Sequence, residues 1–80
     1  MSSSIHSPEY QVLRELLAAQ RKSQGLTQAD VASLIGRPQS FVAKYEGGER
    51  RIDVVEFLAI AQALNADPQS LFSAFVKNLG

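Results

Sequence analysis

Between Thr27 and Pro38 the sequence starts a helix, stops it and starts another. Thr27 is an N-cap residue, and Asp30 stands three positions on, where its carboxylate reaches back to the cap in a capping-box arrangement. Val31, Leu34 and Ile35 follow at helical spacing as the expected buried stripe of a short helix. Gly36 can take the left-handed conformation that ends a helix, and Pro38 presets φ for the next one while disfavouring a helical Arg37 before it. The turn between the two helices is therefore tight, and no alternating strand pattern occurs along the chain.

The same punctuation divides the rest of the chain. Ser7, Pro8 and Glu9 supply a hydroxyl cap, a first-position proline and an acid at the positive dipole end, so a helix is expected from there to about Ser23. Leu13, Leu16, Leu17 and Gln20 line one of its faces, and Gly25 closes the segment. After Pro38, Phe41, Val42 and Tyr45 cluster on one side of a helical wheel, and Gln39, Ser40, Ala43 and Lys44 fall on the other. Glu46-Gly47-Gly48 ends that helix. Asp53 and Glu56 form a second capping box, ahead of the stripe Val54, Phe57, Leu58, Ala61 and Leu64, with Asn65 as the stop. Asp67-Pro68 opens a fifth helix, about 68–79, in which Leu71, Phe72, Phe75, Val76 and Leu79 give more apolar surface than one side needs. The expected organisation is a flexible tail over 1–7 and a single all-α domain over 8–80.

With 80 residues, such a domain hides only about 60% of the surface its unfolded chain exposes, so its core is small. The chain has no cysteine, which rules out a disulfide framework or a thiolate zinc site as the missing support. Packing or a partner subunit has to provide it. The surplus on the fifth helix therefore makes Phe72, Phe75, Val76 and Leu79 candidates for a homodimer interface. MSSSIHS lacks the basic and apolar regions of a secretory signal, and no apolar run reaches the roughly 18 residues of a membrane span, so a cytoplasmic location is expected.

Lys and Arg balance Asp and Glu at eight each, but unevenly along the chain. Arg21, Lys22, Arg37, Lys44, Arg50 and Arg51 outnumber Asp30, Glu46 and Glu49 in the middle. Beyond residue 52, Lys77 stands alone against Asp53, Glu56 and Asp67. A locally basic centre suits a polyanion docking on one face.

The segment TQADVASLIGRPQSFVAKYEGGER resembles the helix-turn-helix of the Cro and lambda-repressor type, the XRE-like family of bacterial and phage regulators. The resemblance spans about residues 13 to 72, with the helix-turn-helix itself at about 27–46. It implies a compact five-helix, lambda-repressor-like domain whose second and third helices form the reading unit. It further implies a sequence-specific regulator of transcription, most simply a repressor, that binds double-stranded DNA as a homodimer on a partly palindromic operator. Gln39, Ser40, Ala43 and Lys44 match positions that face base edges. Gln and Lys side chains bond adenine and guanine edges, Ser is less selective, and Ala43 suits a thymine methyl. Gln28 matches a phosphate-binding residue at a helix N-terminus, and Arg37, Arg50 and Arg51 fall where the family touches the sugar-phosphate backbone. Arg21 and Glu46 match a structural ion pair between the first helix and the end of the third. The sequence departs from the common pattern at Pro38, often a capping hydroxyl residue, and at Asn65, often glycine. Controller proteins of restriction-modification operons and antitoxins share this size. A protein-interaction module or antitoxin-type partner that keeps the fold with little DNA binding of its own is the competing expectation, carried by the zero net charge.

Nothing in the sequence argues for an enzyme. His6 has no second ligand near it, Asp30, Asp53 and Glu56 are explained as caps, and no Ser, His and Asp constellation can be assembled. No metal, cofactor or small-molecule ligand is expected.

Overall fold

Ser7 sets the start of the first helix. In the computed structural model, which describes residues 7–80, its hydroxyl accepts the Tyr10 amide at 3.2 Å, and α1 runs over Pro8–Ser23. The cap is itself buried, so Ser7, placed in the expected tail, belongs to the packed domain. Residues 1–6 of that tail, His6 among them, lie outside the described residues.

Four more helices follow, and no strand occurs among the described residues: α2 over Gln28–Ile35, α3 over Gln39–Glu46, α4 over Val54–Ala63 and α5 over Pro68–Asn78. Local chemistry accounts for their ends. Both capping boxes close, Thr27 with Asp30 and Asp53 with Glu56, satisfying amides that a helix leaves unpaired. Asp67 accepts the Ser70 amide ahead of Pro68. Gly36 ends α2 at φ 69°, and Asn65 takes the left-handed region after α4 at φ 61°, a conformation open to few residues other than glycine and asparagine.

Leu17 of α1, Val31 of α2, Val42 and Tyr45 of α3, and Ile60 and Leu64 at α4 are almost wholly excluded from solvent, and Leu71 brings α5 onto the same core. Two expected stripes are corrected here. In α2 the core is reached by Val31 and Ala32, with Ile35 packed against it as expected, but Leu34 is 62% exposed. In α4 the inward series is Phe57, Ile60, Ala61 and Leu64, whereas Val54 and Leu58 face outward, at 82% and 45% exposure. Helix α4 carries apolar side chains nearly all round, so spacing alone admits more than one inward face; packing against α2 and α5 selects the one bearing Ile60.

Two buried phenols are treated differently by their surroundings. The Tyr10 hydroxyl donates to the Arg50 carbonyl at 2.6 Å, which ties α1 to the loop after α3. The Tyr45 hydroxyl has no hydrogen-bond partner among the described residues, and its burial pushes its pKa well above the ordinary phenol value. Removing a bonded hydroxyl costs about 0.5–1.5 kcal/mol, whereas removing an unpaired buried one relieves a desolvation penalty. Urea unfolding should therefore show Tyr10→Phe less stable by about 1 kcal/mol and Tyr45→Phe at least as stable as the parent. A clear loss for Tyr45→Phe would mean that its hydroxyl is satisfied.

Candidate nucleic-acid interface

Helix α3 turns the corner after Gly36 and is clamped along one side. Phe41, Val42 and Tyr45 are buried, which fixes its rotation and leaves Gln39, Ser40 and Lys44 exposed and Ala43 half-buried on the opposite side. Pro38 is the N-cap, with φ −65° and ψ 154°, and no side chain closes the helix start. The Pro38 carbonyl accepts the Phe41 amide at 3.0 Å.

A line of polar side chains runs behind this face. Arg21 of α1 grips the Glu46 carboxylate twice, Nε to Oε2 at 2.8 Å and Nη2 to Oε1 at 3.0 Å, and its Nη1 donates to the Leu26 carbonyl at 2.8 Å. The side chains of this pair are only 11% and 7% exposed, and the bond to Glu46 raises the Arg21 pKa above its ordinary value. Gln28, first residue of α2, donates Nε2 to Glu46 Oε1 at 2.9 Å, and its own Oε1 accepts from Gln39 Nε2 at 3.4 Å. The ends of α1 and α3 and the starts of α2 and α3 are thus joined through one carboxylate. Arg14 adds a bond to the Glu46 carbonyl at 2.9 Å.

Arg37, Arg50 and Arg51 are likewise held. Arg37 and Arg50 lie over the Phe41 ring, their guanidinium carbons 4.4 and 4.7 Å from its centre. Between them sits Glu56: Arg50 Nη1 and Nη2 donate to its two oxygens at 3.0 and 2.9 Å, and Arg37 Nη2 donates to Oε2 at 3.2 Å. The Arg50 hydrogen bonds, helped by the Asp53 amide and by the nearby positive charges and opposed by partial burial, hold the Glu56 carboxyl down at about 2. Arg51 donates to the Ser7 hydroxyl at 3.0 Å and lies 5.6 Å from the Tyr10 ring centre. Sequence reasoning saw Glu56 only as a cap and passed over Arg14 and Tyr10. The Arg50 contact of Glu56 spans 6 positions, but those of Glu56 with Arg37, Arg14 with Glu46 and Tyr10 with Arg50 cross 19 to 40, and no local pattern announces them.

Away from α3, the apolar surplus of α5 forms an open face. Phe72, Val76 and Leu79 are exposed, and Phe75 is half-buried, its ring 5.7 Å from that of Phe72. The exposed Val54 of α4 extends this face through a cleft of about 480 Å³ lined by Leu13, Ile52, Phe57 and Phe72. Among the described residues no three His, Cys, Asp or Glu side chains gather as metal ligands, and no helix is long and apolar enough to cross a membrane.

The family profile described as a helix-turn-helix domain matches residues 12–74. Among solved structures, an XRE-family like protein from Pseudomonas syringae pv. tomato str. DC3000 is 42% identical and superposes with a TM-score of 0.86 over 95% of this chain and 93% of that one. The restriction-modification controller protein C.AhdI from Aeromonas hydrophila is 31% identical, with a TM-score of 0.75 over 81% of this chain and 98% of that one. The controller protein C.Esp1396I, solved as a tetramer in complex with its natural 35 base-pair operator, shares the fold at 18% identity, with a TM-score of 0.83 over 90% and 95% of the two chains. No curated protein matches the sequence.

Proposed function

Because this chain belongs to the XRE-like helix-turn-helix family, we propose that it is a DNA-binding regulator of transcription that works as a homodimer on a partly palindromic operator, most simply by repression. The observation that carries the reading is the outward side of α3, exposed at Gln39, Ser40 and Lys44 and adjoining the start of α2, where Gln39 meets Gln28. Gln39, Ser40, Ala43 and Lys44 read base edges; Gln28 and the amides at the start of α2 hold a phosphate. Arg37, Arg50 and Arg51 meet the sugar-phosphate backbone on either side. Phe72, Val76 and Leu79, with Phe75 behind them, join the two copies, so that two copies of α3 lie about 34 Å apart, one helical turn of DNA. Support for a duplex partner comes from C.Esp1396I, a protein of this fold solved on its operator.

Selection from random duplexes at two salt concentrations tests the reading, which requires that one sequence be enriched well beyond the nonspecific level of about 10⁻⁴ to 10⁻⁶ M. Within that assay Gln39→Ala should relax preference at one position of each half-site and cost about 1–3 kcal/mol. Arg50→Ala should weaken the operator and its base-pair variants alike, leaving base preference unchanged, and flatten the salt dependence. Equal, sequence-independent losses from both would contradict this division of roles. If no sequence is enriched, the protein-interaction module, which the zero net charge and the apolar α5 face favour, takes its place.

A further inference from the structure

Glu56 does more than its position in a capping box requires. Asp30, which stands at the same place in α2, bonds the Thr27 amide and caps its helix with no arginine on it among the described residues. Glu56 bonds the Asp53 amide at 2.9 Å and in addition carries both guanidiniums that flank α3, one from the turn before the helix and one from the loop after it. The cations remain 42% and 40% exposed, whereas the carboxylate between them is 12% exposed. The negative charge is thus covered, and the positive edges face solvent beside the Phe41 ring.

We infer that Glu56 is a selectivity-determining residue: by pinning Arg37 and Arg50 and cancelling one of their two charges, it suppresses sequence-independent duplex binding more than operator binding. The inference rests on the DNA-binding reading above. Sequence-independent affinity grows with each phosphate neutralised, and two unrestrained arginines would find phosphates on any duplex. Glu56 lowers their joint charge from two to one and makes a stray phosphate compete with a bidentate, charge-assisted bond already in place. A duplex docked in register on α3 brings its phosphates to guanidiniums whose positions are already set, so less side-chain freedom is lost on binding.

Glu56→Gln removes the charge and keeps an acceptor for the capping box. Its affinity for random-sequence duplex should rise about three- to tenfold at 0.1 M salt, with the slope of log K against log salt steeper by about 0.9. Affinity for the selected operator should rise less, so the ratio between the two falls. In the Arg37→Gln, Arg50→Gln background the same substitution should leave random-duplex affinity unchanged. Glu56→Asp, whose shorter arm still closes a capping box as Asp30 does, should move the ratio in the same direction. Equal changes for both duplexes, or weaker binding of both, overturn the inference. If the parent protein itself enriches no duplex, the DNA-binding reading fails and takes this one with it. A discriminating parent with an equally discriminating variant sinks this inference alone.

Discussion

Glu46→Ala is expected to cost the fold about 3–5 kcal/mol, because it strips the partner from a largely buried arginine. The Arg21 side chain is 11% exposed, and with Glu46 gone the Leu26 carbonyl is the one acceptor left to its guanidinium among the described residues. The same substitution releases Gln28, and through it Gln39, from the position that the carboxylate imposes. A domain of this size has only about 4–12 kcal/mol in total, so the variant should melt far below the parent or be unfolded at 25 °C. Urea unfolding followed by circular dichroism reads this directly. The paired replacement Arg21→Met with Glu46→Leu is the informative control, since apolar residues of similar volume often replace a buried ion pair at little cost. A Glu46→Ala loss below 1 kcal/mol would show the pair to be solvated, as surface pairs are.

Val76→Asp should split the proposed dimer. Val76 is 48% exposed in the single chain, so the aspartate is solvated there and the fold survives. At a two-fold interface it would bury an unpaired charge beside its own symmetry mate, a penalty of several kcal/mol. Sedimentation equilibrium should show monomers at concentrations where the parent is dimeric. Operator affinity should fall by about 10²- to 10⁴-fold, because the second half-site is no longer held by a tethered copy. Val76 is a cleaner probe than Phe75, which also packs against Phe72 within the chain. An unchanged mass for the variant would remove α5 from the interface.

Helix ends were legible in the sequence because the forces that set them act within four residues. Thr27 with Asp30, Asp53 with Glu56, Asp67 with Pro68 and the left-handed Gly36 each close a local hydrogen-bond account. The inward face of α3 was legible too, since Phe41, Val42 and Tyr45 stand against a plainly polar opposite side. The face of α4 was not, because Val54, Val55 and Leu58 are as apolar as the Ile60 that packs. Of the bonds that bring distant segments together, the Arg21–Glu46 pair was reached only through the family resemblance, and others were not legible at all: Arg37 meets Glu56 across 19 positions and Tyr10 meets Arg50 across 40. These depend on how five helices settle around one core, and residue types at fixed spacing do not encode that.

The split of α3 into a clamped side and an outward side has a consequence for how such a protein changes. Ser40 and Lys44 are exposed, and the outward side meets the scaffold chiefly through the long 3.4 Å contact of Gln39 with Gln28. New side chains can therefore be written into positions 39, 40 and 44 while Phe41, Val42 and Tyr45 keep the helix seated. On the proposed reading of α3, recognition is an interchangeable label on a fixed mount, so altered preference should arise by exchange at these surface positions without a compensating change in the core.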